Sequence, residues 1–369
     1  MKVFKHYQTK KFMEPKKTVL LGMSGGVDSS IAALLLKKKG YNVIGAFMRN
    51  FSDIKNPLTG ECNWIEERKM AQKIALLLNI PLITLNFEKQ FKKYVIDYIF
   101  KSYKNGLTPN PDILCNQTIK FPLLWKEAEK IKADYIATGH YARIKKTKQG
   151  YQLFAGKDKT KDQSYFLSKL EQSDLRHTLF PLGNLTKSEI RKIAEKNNFP
   201  NWDKKGTAGI CFVGKINMKS FLKKKIKEKQ GKILDTNNNI IGHHSGTFYY
   251  TIGQRIGMEI TSKKTNERLY VANKDEKTNT IIVVPENHPL LKKQMVKLEN
   301  FHRINEKEAI PSNVKARIRH LGQLHKGQLI KKGNKYQFVF KKPINAIAEG
   351  QFLAIYSKDK LIGSGEMRY

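Results

Sequence analysis

The sequence predicts a doubly wound α/β domain built on a parallel sheet, followed by an all-β C-terminal part. Three observations predict it. Up to residue 138, short apolar runs of strand type alternate with helical patterns, as in βαβ units whose parallel sheet is covered on both faces. The first strand-to-helix turn is rich in glycine and serine. Beyond Gly231 helical spacing gives way to short alternating segments punctuated by Gly, Asn and Pro, an all-β pattern.

The elements follow in order. Residues 18–23 (TVLLGM) read as a buried strand, and after the Gly-rich turn an apolar helix runs from about Ser29 to Lys39, stopped at Gly40. Residues 42–48 form the next strand. Met70, Ile74, Leu77 and Leu78 recur at helical spacing within 66–78. Residues 81–86 form a third strand, 91–103 and 121–132 two helices, and 135–138 a fourth strand. Thr186 and Glu189 make a capping box ahead of a helix reaching about Asn197. A Lys-rich helix is expected over 218–229, and strands over 232–235, 240–243, 280–284, 336–340 and 352–356. Domain boundaries are placed near 217 and 288, giving 1–217 (with a basic tail over 1–17), 218–287 and 288–369.

The 369 residues suit two or three domains at roughly 100–200 residues each. A hydrophobic content of 40% excludes wholesale disorder. No apolar run approaches the ~18 residues of a membrane span, and the basic N-terminus has no secretory apolar core. A cytoplasmic protein is expected, with no membrane partner. Lys and Arg number 69 against 32 Asp and Glu, a net charge of +37 that favours a polyanionic partner, nucleic acid above all. Only 11 of the 69 are Arg, leaving 58 Lys, and compositional drift in a Lys-heavy chain is the competing reading of that excess. Three cysteines, Cys62, Cys115 and Cys211, without CxxC spacing argue against a disulfide scaffold or a structural zinc site.

The stretch Gly22, Met23, Ser24, Gly25, Gly26, Val27, Asp28, Ser29 lies between a strand and a helix. Backbone N–H groups there, backed by the helix dipole, form an anion site, and Ser24 and Ser29 add hydroxyls. The Walker A lysine is absent and the spacing is not G-x-G-x-x-G. Asp28 would repel phosphate unless Mg²⁺ lay between them, so it reads as a metal-linked carboxylate. The plainer reading is a Gly/Ser turn whose Asp28 and Ser29 cap the helix. The string resembles the SGGxDS signature of the PP-loop ATP pyrophosphatases. That resemblance implies cleavage of ATP between its α and β phosphates and adenylation of a carbonyl oxygen.

Pro109 and Pro111 keep the segment 108–112 from being helical, with helix resuming around Cys115. A cysteine near a helix start has its thiolate favoured, and Asp112 would move protons at a leaving group. Cys211 has Lys204, Lys205 and Lys215 nearby in sequence. Either cysteine reads equally as a small buried hydrophobe. His243 and His244, adjacent in a strand, point to opposite faces and are not joint ligands. Residues 314–319 alternate small or apolar residues with cations, a half-buried strand with one basic face.

NPDILCN (110–116), ATGHYAR (137–143), KDQSYFL (161–167), GICFVG (209–214) and YTIGQRIG (250–257) occur in this order. With the phosphate loop they resemble the tRNA-specific 2-thiouridylases along nearly the whole chain. The resemblance implies a PP-loop, adenine nucleotide α-hydrolase-like domain, a small central domain and a C-terminal β-barrel. It implies thiolation of the wobble uridine of tRNA with ATP and Mg²⁺, the sulfur coming from a cysteine desulfurase or a sulfur-relay protein. It further implies that residues 22–29, Met48 and Gly139 line the nucleotide site. Asn110, Pro111 and Asp112 would meet the target base, with Cys115 as nucleophile and Cys211 carrying a persulfide, the two joining as a disulfide. His140, Lys161, Asp162, Gln163, Arg317, Ile318 and Gln351 would touch tRNA. Residues 206–208 (GTA) lack the acidic side chain usual before GIC in the family. Two rivals are a PP-loop synthetase acting on a small-molecule carbonyl, indifferent to loss of either cysteine, and a non-catalytic tRNA-binding protein that releases no pyrophosphate.

Overall fold

A computed structural model describes residues 16–53, 62–204, 206, 217–257 and 267–369. Its first layer is a five-stranded parallel sheet of order β3-β2-β1-β4-β7. The strands are β1 (Thr18–Gly22), β2 (Asn42–Arg49), β3 (Leu82–Asn86), β4 (Tyr135–Ala137) and β7 (Thr178–Leu179). Strand order reverses at β1, with β2 on one side and β4 on the other. The crevice beyond the carboxyl ends of such a pair is where ligands bind in open α/β sheets.

Each face of the sheet carries its own core. Val19 and Leu21 pack with Ile31 and Leu36 of α1 (Val27–Lys38) and with Ile74 of α2 (Asn63–Leu77). Leu20, Ala46 and Met48 pack on the opposite face with Phe91, Ile113, Cys115 and Phe121. The alternation of these side chains along β1 explains why its five residues read as one continuous apolar run.

The predicted parallel strands appear with shifts of a residue or two, and three helices differ from expectation. The helix after β1 starts at Val27, so Asp28 and Ser29 lie inside its first turn, and Gly26, not either of them, is the N-cap. Residues 111–130 are helical throughout, as Pro111–Cys115, a π-helical turn over Asn116–Lys120, and Phe121–Lys130. Pro111 starts this helix rather than preventing it, because proline at the first helical position lacks only an N–H that has no acceptor there. The Lys-rich helix stops at Lys223 instead of 229. Two of its lysines are tied down outside the helix, Lys223 to Glu228 at 2.8 Å and Lys225 to Asp97 at 3.0 Å.

The second sheet has the order β10-β11-β12-β8-β9. It comprises β8 (Gly231–Leu234), β9 (Ile240–His244), β10 (Arg255–Ile256), β11 (Leu269–Asp275) and β12 (Thr280–Pro285), around Ile233, Val271 and Ile281. In the third sheet β13 (Lys292–Arg303), β16 (Lys335–Asn345), β15 (His325–Lys332), β14 (Val314–Arg317), β17 (Phe352–Ser357) and β18 (Lys360–Arg368) succeed one another, and β13 pairs back onto β18. These six strands close a barrel around Val296, Phe338, Phe340, Leu353 and Ile355.

The hairpin β5 (Ala142–Thr147) and β6 (Gly150–Ala155), which follows β4 directly, joins this third sheet and not the first. β6 pairs with the start of β18 at Lys360 and Leu361, while the rest of β18 pairs with β13. The N-terminal α/β unit and the barrel are therefore stitched by main-chain ladder bonds. Among the described residues no helix is long and apolar enough to cross a membrane.

Candidate active site

The loop after β1 is a set of short local hydrogen bonds. Met23 N donates to Ala46 O at 2.8 Å, extending the sheet one residue past β1. Ser24 N donates to Ser29 Oγ at 3.2 Å, and the Ser29 and Ser30 hydroxyls both donate to Gly26 O at 3.0 Å. Asn201 brackets the turn from outside, its Nδ2 donating to Gly25 O and Ser30 Oγ, both at 3.0 Å. Gly25 has φ +73°, and a Cβ there would overlap the carbonyl oxygen of Glu67. Only glycine meets both conditions.

Gly139, after β4, forms the facing wall. A Cβ on it would stand 2.9 Å from Ser29 N and 3.0 Å from the Asp28 carbonyl carbon. The loops after β1 and β4 thus meet backbone to backbone at the switch point. Met48 closes the base of this wall, 7% exposed, with its Cε 3.2 Å from the point a Gly22 Cβ would occupy. Met23 and Val27 are buried in the core below.

Asp28 differs from its expected state. Its Oδ1 accepts from Tyr141 Oη at 2.6 Å and from Lys187 Nζ at 2.6 Å. Burial, and then the neighbouring Asp28 charge, push the Tyr141 phenol well above its ordinary value, so it stays a donor. The carboxylate thus already has a cation, Lys187, that the phosphate-loop motif does not contain. One carboxylate beside a phosphate site still fits Mg²⁺, which takes few protein ligands and shares the phosphates. Among the described residues no group of three or more His, Cys, Asp or Glu is arranged to hold a metal ion by itself.

The second part of the site is the Asn110–Cys115 segment. Asn110 is the helix N-cap, its Oδ1 accepting from Ile113 N at 3.2 Å. Its Nδ2 donates to Gln351 Oε1 at 3.1 Å, and Gln351 Nε2 returns bonds to Thr108 O and Pro109 O at 3.2 and 2.9 Å. Asp112 and Pro111 are half-buried in the first helical turn. Cys115 lies in the second turn of the helical run that Pro111 begins, and it is 1% exposed. Asn116 Nδ2 fastens the next residue to Phe166 O at 3.1 Å. Cys211, with its flanking motif, lies outside the described residues.

The residues expected to touch tRNA divide sharply by exposure. Lys161 is exposed, and Gln163, Ile318 and Gln351 are half-buried. Asp162 is 0% exposed and pairs with Arg317, itself 8% exposed, at 2.9 Å. Asp162 Oδ1 also accepts from Gly156 N at 3.1 Å and Ser164 N at 3.0 Å. The basic face expected on β14 therefore fails at Arg317, whose guanidinium turns inward over the Tyr356 ring, 5.4 Å from its centroid. Gln163 is pinned to Tyr141, whose N–H donates to its Oε1 at 3.0 Å. His140 is buried between Phe121 and Phe180, with Nδ1 2.6 Å from Thr138 Oγ1. Burial, and next the Lys120 charge, hold its imidazole well below its ordinary pKa, in the neutral form.

Sequence reasoning missed Lys187, Tyr141 and Asn201 as neighbours of the phosphate loop. Tyr141 stands inside a quoted motif, and Lys187 inside the recognised capping box, so the signal was present without a spatial address.

A family model described as "tRNA methyl transferase HUP domain" matches residues 17–215. Models described as "tRNA methyl transferase PRC-barrel domain" and "Aminomethyltransferase beta-barrel domain" match 219–285 and 293–367. The curated relatives include three proteins named tRNA-specific 2-thiouridylase. That of Karelsulcia muelleri is 41% identical over 95% of this chain and 98% of its own. That of Geobacillus kaustophilus is 43% identical over 95% of each. That of Mycoplasmopsis synoviae is 44% identical over 94% of each.

Proposed function

The chain belongs to the tRNA-specific 2-thiouridylase family, and from that membership we propose that it thiolates C2 of the wobble uridine of tRNA at the expense of ATP. The observation that carries the reading is a backbone-lined phosphate loop at a sheet's switch point, in a chain that matches thiouridylases along nearly its whole length. The methyl-transfer wording of the domain description is not favoured, since a polyphosphate loop has no part in moving a methyl group.

Residues 22–29, Met48 and Gly139 hold ATP, the loop N–H groups and the start of α1 facing its phosphates. Mg²⁺ on those phosphates would be met by Asp28, and it would offset the charge of the departing pyrophosphate. Uridine O2 attacks the α-phosphorus, an O2–P bond forms, and pyrophosphate leaves with the electron pair of the broken P–O bond. The base must leave its stack to reach the site, and Asn110, Pro111 and Asp112 receive it. Asp112, half-buried in the first turn of the helix, takes and returns a proton in this reading.

Sulfur then replaces the adenylated oxygen. The terminal sulfur of a Cys211 persulfide attacks C2 and AMP departs. The Cys115 thiolate attacks the Cys211 sulfur, breaking its bond to the transferred atom and leaving 2-thiouridine and a Cys115–Cys211 disulfide. An external thiol reductant restores both cysteines. A cysteine desulfurase or a sulfur-relay protein supplies the persulfide. Lys161, exposed beside the Asp162–Arg317 pair, and Ile318 and Gln351 at the barrel's edge take part in holding tRNA, while buried His140 and half-buried Gln163 support the wall they stand in.

Pyrophosphate release tests the reading. With Mg-ATP and unmodified tRNA, wild type releases pyrophosphate only when tRNA is present, and a uridine-to-cytidine change at the wobble position abolishes it. Release without tRNA would favour a small-molecule synthetase. Salt-dependent tRNA binding with no release at all would favour a non-catalytic binder.

A further inference from the structure

The phosphate loop contains no cation, yet the fold delivers one from 159 residues away. Lys187 opens the Lys187–Lys196 helix, behind the reciprocal Thr186–Glu189 capping box. A cation in the first turn stands against the positive end of the helix dipole, so something else must favour it there. Two carboxylates do so. Asp28 Oδ1 holds the ammonium at 2.6 Å, and Asp158 Oδ2 accepts from the Lys187 backbone N–H at 2.9 Å. The lysine side chain is 15% exposed, at the rim of the site and not in free solvent.

Arg191 follows four residues later, on the same face of the same helix. Its Nε is buried and has no hydrogen-bond partner. Its charge reaches the Tyr141 phenol, which donates to the same Asp28 oxygen that holds Lys187. A buried guanidinium nitrogen left unsatisfied is costly unless a ligand completes it. Lys187 therefore stands on Asp28 at the phosphate loop, with Arg191 one helical turn beyond it.

We propose that Lys187 and Arg191 form a two-cation clamp that receives the β- and γ-phosphates of ATP and holds the pyrophosphate as it leaves. Lys187 exchanges the Asp28 carboxylate for phosphate when nucleotide enters. As the bond between the α-phosphorus and its bridging oxygen breaks, the electron pair goes to pyrophosphate, and the two cations meet that charge. This rests on the ATP-dependent reading given above.

The test is nucleotide binding to the full chain by calorimetry, without tRNA or a sulfur donor. Lys187→Gln and Arg191→Gln should each weaken Mg-ATP about tenfold or more, the worth of one charge-assisted hydrogen bond, with AMP binding unchanged. Lys187→Arg should recover most of the loss. Mg-ATP binding unchanged in both variants would overturn the clamp. So would parallel loss of ATP and AMP, which would mean that the Asp28 pair only shapes the loop. A thermal midpoint for each variant separates these from failure to fold, and the charge-preserving Lys187→Arg and Arg191→Lys then decide. Wild type that bound neither nucleotide would overturn the clamp together with the ATP reading.

Discussion

Asp162 has a fully buried carboxylate with one cation, Arg317, to balance it. A charge taken out of water is tolerated only when it is paired and hydrogen-bonded, and this one accepts from two backbone N–H groups as well. Asp162→Asn should therefore lower stability by about 3–5 kcal/mol, because it leaves the guanidinium buried without its partner. Chemical denaturation reads this directly. An unchanged unfolding midpoint with weakened tRNA binding would instead mean that the pair opens toward RNA. The motif around Asp162 was legible in the sequence; its partner was not. Arg317 sits 155 residues on, in a strand whose alternation with Lys315 suggests an exposed basic face. Alternation fixes which side of a strand a residue faces, not whether another unit covers that side. Asn110 and Gln351 repeat the lesson, two residues singled out separately that the fold joins at 3.1 Å.

At the scale of elements, the phosphate loop and the Asn110–Cys115 segment were the most legible parts. Glycine, proline and a strand-to-helix transition restrict the backbone locally, and Asn201 and Gln351 then fasten the two segments from a distance. What local reading misjudged was the effect of Pro111. Two prolines in three residues look like a barrier, yet Asn110 caps at 3.2 Å and Pro111 simply begins the helix. The β5–β6 hairpin shows the opposite limit. Its destination is β18, more than 200 residues away in sequence, and nothing local announces that pairing. Gly139 tests the account here. In Gly139→Ala the new methyl would stand 2.9 Å from Ser29 N, where the loops after β4 and β1 meet. Mg-ATP binding should fall about tenfold or more while the fold persists, since an overpacking strain of roughly 1–3 kcal/mol falls on one loop. Nucleotide binding at the wild-type level would place the phosphates elsewhere.

Across the whole molecule, the α/β unit and the barrel meet through a shared apolar core, in which Phe352, Ala354 and Tyr356 cluster with Ile113, Cys115 and Tyr165, and through buried polar bonds. Tyr165 Oη donates to Phe352 O at 2.9 Å, Ser364 Oγ to Ser168 O at 3.2 Å, and Ser164 Oγ lies 3.1 Å from Tyr356 Oη. These bonds flank the Asp162–Arg317 and Asn110–Gln351 pairs, so the wall that carries Cys115 is positioned by the barrel. The net charge of +37 suits a polyanionic substrate laid across both units. That an all-β part would follow an α/β unit was legible from the change in periodicity, whereas its closure as a barrel was implied only by the family resemblance. How the barrel grips the wall that carries Cys115 was not legible, because it depends on contacts between residues more than 150 positions apart.

The central claim is sulfur transfer to uridine through Cys115 and Cys211. A single-turnover reaction with unmodified tRNA, Mg-ATP and persulfide-loaded protein, analysed by mass spectrometry of the digested tRNA and of the protein, tests it most directly. Wild type should yield about one 2-thiouridine per loaded protein together with a Cys115–Cys211 disulfide, the stoichiometry of one thiol–disulfide exchange. Cys211→Ala should yield none, and Cys115→Ala should stall with sulfur still bound to protein. Equal thiouridine from Cys211→Ala and wild type would contradict the account.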